Sequence, residues 1–376
     1  MDPFVADHAP RVAAHALSEL EALVAVSSPS GDVAGAEAAV ALCVAFLPDG
    51  AVTERAPCST EGFAPDLIGR LRGTGESRLL LLGHLDTVIS HEAHSPLSHR
   101  DGKLYGPGTA DMKGGVALSL AVARALAEVP DRFAELSVLL VCDEEWRTQP
   151  FRHVERFSGY DACLCFEAGE RTREGGEGVI VRRKGAGTLR VRAAGRAAHS
   201  GSAPQDGRNA LLALSRAAIE LTRLADPRGP QQLTVVPTIM HAGGAFNVVP
   251  AEGELVFDMR SRDTAAFERV RDAVATELDE VQLSAALERV WPAMDSEAAT
   301  AELLQAATQR LGRPVLARSR GGASDASHFA ATIPLTLDGL GPRGGGAHTP
   351  GEFVRESSLR ERLEVALAVA LSALDS

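Results

Sequence analysis

The stretch RLLLLGHLD at residues 78–86 decides the fold of this chain. Its four consecutive leucines form a short apolar run, which is typical of strands that are buried on both faces. Similar apolar runs occupy residues 136–142 and 162–166, and the segment 114–127, before the second run, is apolar with a helical period. This order of strand, helix, strand and strand predicts a mostly parallel sheet covered by helices, an α/β fold.

A different pattern begins near Gly178. Residues 179–191 alternate Val, Arg and Leu around two glycines, which predicts a β-hairpin. The patterns that follow predict a helix at about 206–224, strands at 233–241 and 253–260, a helix at 264–278 and a closing strand at 280–290. We therefore predict a catalytic domain of residues 1–178 and 291–376, with an inserted α+β domain of residues 179–290.

Composition and charge limit the classes of function that are open to the chain. Hydrophobic residues make up 45% of the sequence and charged residues 23%, as in soluble globular proteins. The formal net charge of -12 argues against nucleic acid and anionic membranes as partners, because both require a basic surface. No apolar run is long enough to predict a transmembrane helix, and the first residues do not resemble a signal peptide. The odd count of five cysteines favours reduced thiols, and we expect a cytoplasmic protein.

Residues that can bind metal follow the first apolar run. Residues i and i+2 of an extended segment face the same side, so the imidazole of His84 and the carboxylate of Asp86 can touch. A metal-bound histidine usually donates its second ring proton to a carboxylate, and this spacing supplies one. The alternative is a histidine and a solvated aspartate at a strand end, without a metal.

Asp111 lies in the glycine-rich loop GPGTADMKGG at residues 106–115. Such a loop suggests a phosphate cradle, but the Gly-Lys-Ser/Thr ending of the P-loop is absent, so a nucleotide site is disfavoured. Open α/β sheets bind ligands in the loops that follow strand ends. A carboxylate at this place can bridge two cations with its two oxygens, and we interpret Asp111 as a candidate metal ligand.

Asp143, Glu144 and Glu145 follow the second apolar run. Three adjacent acids repel one another unless positive charge lies among them, and a buried preceding strand leaves little room for water to provide the compensation. Neighbouring side chains point in different directions, so one glutamate can coordinate a metal while the other reaches a metal-bound water. This division of roles is what general-base hydrolysis requires.

Two further candidate ligands come later in the chain. Glu167 follows the third apolar run, and His348 lies in the segment GGGAHTP at residues 344–350. With the earlier candidates they complete a set of two imidazoles and three carboxylates, which suits zinc, cobalt or manganese and does not suit copper(I). The members of this set are His84, Asp111, Glu145, Glu167 and His348.

These positions, in this order, resemble the zinc metallopeptidases of peptidase family M20, with motifs most similar to the glutamate carboxypeptidase branch. The resemblance covers essentially the whole chain, and its most specific strings are GHLDTV at 83–88, residues 106–115 and the Asp143-Glu144-Glu145 triplet. It implies two Zn²⁺ ions, for which Co²⁺ or Mn²⁺ can substitute. It also implies that Asp111 bridges the two metals, that His84 and Glu167 bind one of them, and that Glu145 and His348 bind the other.

The resemblance further implies roles around the metals. Asp86 would orient His84, Glu144 would take the proton from the attacking water, and the Asp111-Met112 peptide bond would be cis. The inserted domain would be a lid through which the chain forms a homodimer. In that lid, His199 would polarise the scissile carbonyl, often in the partner's site, and Asn247 and Arg260 would hold the carboxylate of a small peptide or N-acyl amino acid substrate.

One segment departs from the family pattern. After Glu145 the family commonly continues with small residues, whereas this chain reads WRTQP at residues 146–150. Bulk at this place would narrow the site or change its substrate. Carboxypeptidase, N-acyl-amino-acid deacylase and biosynthetic deacylase such as acetylornithine deacetylase or succinyl-diaminopimelate desuccinylase therefore stay open as functions. A non-catalytic binding relative is a further alternative, although such a protein has no use for a general base at Glu144.

Overall fold

The computed structural model describes residues 1–376 of the chain. Helices α1 to α8 cover Pro3–Ala25, Val33–Phe46, Lys113–Leu126, Ala210–Thr222, Ala265–Asp272, Glu297–Leu311, Ala326–Phe329 and Ser357–Leu374. None of these helices combines the length and the apolar character that crossing a bilayer requires.

The strands form four sheets. Strands β1 to β9 cover Val52–Ala56, Asp66–Arg72, Arg78–His84, Ser98–Arg100, Lys103–Tyr105, Glu135–Val141, Ala162–Cys165, Glu170–Arg171 and Glu177–Arg183. Strands β10 to β15 cover Gly185–Ala194, Thr234–Ala242, Glu252–Ser261, Glu277–Leu278, Val281–Trp291 and Met294–Asp295. Strands β16 to β19 cover Val315–Arg320, Leu335–Leu337, Gly344–Gly345 and Phe353–Arg355.

The chain divides into two compact units. Unit 1 consists of Met1–Arg182, Asp295–Ser319 and Ser324–Ser376, and unit 2 consists of Arg183–Met294 and Arg320–Ala323. The chain passes between the two units after Arg182 and after Met294. Each of these boundaries lies four residues after the predicted one, at 178/179 and 290/291. Unit 2 also includes a four-residue segment from late in the chain, which no sequence pattern indicated.

The central sheet of unit 1 has the strand order β1-β2-β6-β3-β7-β17. Strands β6, β3, β7 and β17 are parallel to one another, β2 pairs antiparallel with β6, and the edge strand β1 pairs antiparallel with β2. All four leucines of the deciding stretch are fully buried in β3. Nearly every residue of α3 and α8 is buried as well, because these helices pack in the interior of the unit. The predicted α/β class with a mostly parallel sheet is confirmed.

The glycine pair that ends the 106–115 loop has a packing role. A Cβ atom on Gly115 would lie 1.8 Å from the carbonyl oxygen of Phe166 and could not be accommodated. Helix α3 therefore contacts the backbone directly after β7, one residue before Glu167. Gly115 therefore allows a helix to approach a strand end, and no phosphate site is required to account for it.

Unit 2 contains a five-stranded antiparallel sheet in the order β11-β12-β10-β14-β13. Apolar side chains on one face of this sheet form a core with α4 and α5. The order of helices and strands in unit 2 agrees with the predicted order in its main features, but two predictions for this region are wrong.

The predicted hairpin at 179–191 does not exist. Strand β9 pairs with β8 and lies between β15 and β16, whereas β10 pairs with β12 and β14 in the other unit. The chain passes from unit 1 to unit 2 between Arg182 and Arg183, so two strands that are adjacent in sequence belong to different sheets. Alternation along a strand reports its buried face and does not identify its neighbour.

The predicted helix at 264–278 is too long. Helix α5 ends at Asp272, and Leu278 pairs with Val281 across a two-residue turn. Both turn residues, Asp279 and Glu280, have positive φ angles of 51° and 59°, which is the conformation of the tight turns that join antiparallel strands. The apolar residues near 274–278 thus belong to the entrance of a hairpin and do not continue the helix.

Candidate metal centre

The candidate ligands meet at one edge of the central sheet of unit 1. His84 is the last residue of β3, the two glutamates 144 and 145 follow β6, and Glu167 follows β7. Because these three strands are parallel and adjacent, their carboxyl ends lie side by side. Asp111 comes from the loop before α3, and His348 comes from the loop between β18 and β19.

Asp111 lies between the two imidazoles. Its Oδ1 is 3.0 Å from Nε2 of His84, and its Oδ2 is 3.1 Å from Nε2 of His348. Nε2 of His84 is also 3.7 Å from Oε1 of Glu167, and Nε2 of His348 is 3.3 Å from Oε2 of Glu145. Each oxygen of Asp111 thus belongs to a separate cluster of one imidazole and one further carboxylate.

Asp86 fixes two parts of this arrangement. Its carboxylate accepts hydrogen bonds of 3.1 Å from the backbone N–H groups of both Glu144 and Glu145, and one of 2.6 Å from the hydroxyl of Ser30. Nδ1 of His84 lies 3.0 Å from the carbonyl oxygen of Asp86 and 3.4 Å from its Oδ1. A carbonyl oxygen only accepts, so Nδ1 carries the proton, and neutral His84 presents its free lone pair on Nε2.

Charge and burial shift the acidity of these groups in the metal-free protein. Burial and the neighbouring carboxylates raise the pKa of Glu144 well above its usual value, and burial also raises the pKa of Glu145. Burial opposes ionisation of Asp111, but hydrogen bonds from His348 and His84 outweigh it and lower its pKa. The carboxylates of Asp111 and Glu145 raise the pKa of His348 to about 10.

The residues present fit a pair of divalent cations. One ligand atom each from His84, Asp111 and Glu145 lies within 4.8 Å of the others. Oε1 of Glu145 is buried and has no hydrogen-bond partner, which is costly unless a ligand such as a cation completes the site. Imidazole nitrogen and carboxylate oxygen are ligands that zinc, cobalt and manganese accept. The assignment of the individual ligands nevertheless stays a prediction.

Glu352 is a functional candidate that the sequence interpretation missed. Its carboxylate accepts hydrogen bonds of 2.7 to 2.9 Å from the N–H groups of Gly108, Ala110 and Asp111. It therefore fixes the loop that presents Asp111, and burial raises its own pKa to about 7. The Asp111-Met112 peptide bond in this loop is cis, as the resemblance implies. An acid four residues after His348 was the available signal, but its partners lie more than 240 residues away in sequence.

Segment 146–150, which departs from the family pattern, has one large side chain at the surface and another in the interior. Trp146 is 56% exposed, whereas Arg147 is completely buried. The guanidinium of Arg147 pairs with the carboxylates of Asp143 and Asp325. The bulk at position 147 is thus directed into the protein, and Trp146 is the large apolar side chain of this segment that faces outward.

The three candidate residues of the inserted domain lie in unit 2. His199 forms an isolated bridge with Val248, and the N–H of Ser200 donates to the carbonyl oxygen of Asn247 at 3.0 Å. Arg260 is near the other end of β12, where its guanidinium donates two hydrogen bonds of 2.9 and 3.0 Å to Asp258. Unit 2 thus brings His199 and Asn247 together and places Arg260 apart from them.

Comparison with known proteins identifies relatives over nearly the whole chain. A profile of peptidase family M20/M25/M40 matches residues 80–372. Carboxypeptidase G2 of Pseudomonas sp. (strain RS-16) is 29% identical over 366 residues, which cover 93% of this chain and 87% of that protein. Succinyl-diaminopimelate desuccinylase of Stenotrophomonas maltophilia (strain R551-3) is 31% identical over 319 residues, covering 78% of this chain and 83% of that protein.

Solved structures show the same fold at lower sequence identity. The aminopeptidase PepT from Bacillus cereus ATCC 10987 has a TM-score of 0.76 at 20% identity, covering 97% of this chain and 99% of that chain. The metallo-carboxypeptidase Sso-CP2 from Sulfolobus solfataricus has a TM-score of 0.73 at 14% identity, covering 96% of this chain and 99% of that chain.

Metal loading of the stripped protein should release protons. The pKa of His348 is raised to about 10, so at pH 7.5 its imidazole is protonated when no metal is bound. An imidazole that binds a metal must be neutral, and metal loading should therefore displace about one proton from His348 per chain. Calorimetric titration of Zn²⁺ into chelator-stripped protein, in two buffers of different ionisation enthalpy, measures this number. His348→Ala should lower it by about one, and a binding enthalpy that does not depend on the buffer would contradict the assignment.

Proposed function

This chain belongs to peptidase family M20/M25/M40, a family of metal-dependent amidohydrolases, and we propose that it cleaves an amide bond next to a free carboxylate in a peptide or N-acyl amino acid. The observation that carries the proposal is the position of Asp111, whose two oxygens each contact a different imidazole. A bridging carboxylate between two such clusters is what a hydrolase with two metals requires.

The proposed cofactors are two Zn²⁺ ions, for which Co²⁺ or Mn²⁺ can substitute. His84 and Glu167 would hold one ion, His348 and Glu145 would hold the other, and Asp111 would bridge them. The contacts among these side chains support this division, since each imidazole lies near one oxygen of Asp111 and near one of the two glutamates. When bound, the cations lower the pKa of the attacking water and stabilise charge on the carbonyl oxygen of the substrate.

Glu144 is the proposed general base. Its backbone is fixed by the carboxylate of Asp86, and its side chain lies among charged groups without being assigned as a ligand. In the proposed reaction Glu144 takes a proton from the attacking water and delivers it to the leaving nitrogen. A carboxyl group that binds no metal is free to take up and release a proton in such a shuttle.

Arg260 and Asn247 are proposed to bind the carboxylate of the substrate. The planar guanidinium of Arg260 can pair with a carboxylate through two hydrogen bonds, as its present pairing with Asp258 illustrates. Asp258 would then compete with the substrate for the same group. The substrate class rests on this role together with the relatives, which include a carboxypeptidase and a desuccinylase. A biosynthetic deacylase is therefore the second candidate function, and a panel of dipeptides, N-acyl and N-succinyl amino acids separates the two.

The geometry of unit 2 supports a homodimer in which His199 of one chain acts at the metal centre of the other chain. Arg260 lies eight positions after Glu252 in β12, a distance of about 27 Å in a strand, and Glu252 lies beside the loop with Asn247. One small substrate cannot contact both ends of this strand. If Arg260 binds the substrate of one site, His199 and Asn247 of the same chain must act at another.

Strand β11 and helix α4 offer a surface for such a dimer. Strand β11 is an edge strand that pairs only with β12, and it exposes Val236, Ile239 and Met240. Helix α4, which packs on β11, exposes Leu212 and Ile219 by 63% and 60%. A long edge strand with exposed apolar residues is a site of association unless something covers it. We therefore place the proposed dimer contact at β11 and α4.

The proposed compartment is the cytoplasm. All five cysteines are free and buried, so the fold has no disulfide on which it depends. Proteins that keep buried thiols reduced are typical of reducing compartments.

Removal of the general base should abolish turnover and leave the metals in place. Glu144→Gln keeps the size of the side chain but cannot accept the proton, so kcat should fall by about 10² to 10⁴-fold. Elemental analysis should still find about two metal ions per chain. Glu155→Gln, in an exposed part of the connection that follows β6, is the matched control and should retain wild-type activity. Near wild-type turnover of the Glu144→Gln variant would refute the proposed role.

The proposed carboxylate site can be tested with paired substrates. The wild-type protein should cleave an N-acyl amino acid much faster than its C-terminal amide, and Arg260→Ala should lower kcat/KM for the free acid by about tenfold or more without affecting the amide. Asp258→Asn removes the competing partner of Arg260 and should keep or raise kcat/KM for the free acid. Equal cleavage of acid and amide by the wild type would contradict the carboxylate site.

Hybrid dimers should reveal which chain supplies His199. A purified hybrid of a Glu144→Gln chain and a His199→Ala chain contains one complete site if His199 acts in its partner, and should have about half of wild-type activity per dimer. The control hybrid pairs a wild-type chain with a chain that carries both substitutions. It should be inactive in the same case, and about half active if His199 acts within its own chain. The second pattern would overturn the proposed exchange.

A further inference from the structure

Arg147 is a completely buried cation in the segment where this chain departs from its family. Its Nε donates to Oδ1 of Asp143 at 2.9 Å, and its terminal nitrogens donate to both oxygens of Asp325, one of them at 3.0 Å. The guanidinium carbon also lies 4.6 Å from the centre of the Phe151 ring. The side chain thus joins two acids that are 182 residues apart in sequence.

The two acids are themselves buried, and Asp143 is also held on its other side. Oδ2 of Asp143 accepts hydrogen bonds of 2.9 and 2.7 Å from the N–H and hydroxyl of Thr60. Asp325 stands at the start of α7, directly after the chain returns to unit 1 at Ser324. Arg147 therefore supplies the positive charge that this pair of buried carboxylates requires.

The position of this cluster connects it to the metal centre. Asp143 immediately precedes Glu144 and Glu145, whose backbone N–H groups are held by Asp86. The turn that carries both glutamates is thus fixed from one side by Asp86 and from the other by the pairing of Asp143 with Arg147. A guanidinium can hold two carboxylates at once in a fixed plane, whereas an ammonium group acts as a point charge.

We propose that Arg147 is a positioning residue for hydrolysis, which fixes the turn of Asp143 to Glu145 against Asp325 so that Glu144 and Glu145 keep their orientation. The inference rests on the proposed function, because Glu144 acts there as the general base and Glu145 as a metal ligand. Arg147 contacts neither substrate nor metal, and it acts through Asp143.

A purely structural role makes a different prediction. Buried ion pairs contribute little net stability, and replacing all charges of such a cluster together is often neutral for folding. The variant Asp143→Asn with Arg147→Met and Asp325→Asn removes the charges in a balanced way and should fold like the wild type. If Arg147 positions the glutamates, this balanced variant should still lose activity, since the fixed geometry is gone.

The experiment compares the balanced variant, the charge-conserving Arg147→Lys and the control Arg156→Ala with the wild type. Arg156 lies on the same connection and forms only an exposed ion pair with Glu54, so its variant should behave as wild type. At saturating metal, the balanced variant should lose about 10- to 100-fold in kcat with KM changed less than about twofold, because misplaced catalytic groups affect the chemical step. Arg147→Lys should have an intermediate kcat.

The absorption spectrum of the Co²⁺-loaded protein gives a readout that does not depend on turnover. Because Glu145 is the proposed ligand nearest to the cluster, both variants should shift the Co²⁺ bands, whereas Arg156→Ala should not. Folding is checked by circular dichroism and thermal unfolding. If the balanced variant fails to fold, Arg147→Lys decides the question on the same two measurements.

Wild-type kcat and an unchanged Co²⁺ spectrum in a folded variant would overturn the role of Arg147 and leave the proposed function intact. Loss through KM alone, with kcat unchanged, would also overturn it. A wild-type protein that hydrolyses no member of the substrate panel would instead refute the proposed function, whatever the variants show.

Discussion

Negative charge gathered in a buried space is the constraint on which the rest of this structure depends. Several acids lie at the carboxyl ends of β3, β6 and β7 and in the loops beside them, and some of these acids have hydrogen-bond donors of their own. Asp86 accepts from two backbone N–H groups and a hydroxyl, and Glu352 accepts from three N–H groups. Asp143 is held by Thr60 and Arg147. These satisfied carboxylates fix the backbone, which is the ordinary use of a buried, fully hydrogen-bonded acid.

The remaining acids differ in how they are compensated. The carboxylate oxygens of Asp111 contact the Nε2 atoms of two imidazoles, Glu145 contacts one of these imidazoles, and the other oxygen of Glu145 has no hydrogen-bond partner. The contrast separates acids that shape the site from acids that are available to cations. The fold brings these acids together, because three parallel strands have their carboxyl ends at one edge of the sheet. Gly115 lets α3 approach the same edge.

The sequence predicted the parts of this arrangement that depend on local pattern. Four leucines before His84 predict a buried strand. A polar residue directly after such a strand is predicted to lie where the parallel strands of the sheet have their carboxyl ends. Pairing between segments distant in the chain could not be predicted in the same way. The hairpin predicted at 179–191 failed because the alternation of side chains does not identify a neighbouring strand. Glu352 and the pairing of Arg147 with Asp325 were missed because these partners lie elsewhere in the chain.

The separation of residues within unit 2 shows why motifs alone cannot define a site. The resemblance implies roles at the substrate for His199, Asn247 and Arg260, yet Arg260 lies at one end of β12 while the other two flank its opposite end. A ligand of amino-acid size spans only a fraction of the length of such a strand, so these residues cannot bind one molecule within a single chain. Either one of the assignments is incorrect or two chains contribute to each site. The exposed edge strand β11 of the same sheet favours the second explanation, because an apolar edge of this kind is stable in solution only when it is covered. Association would then be a condition of catalysis.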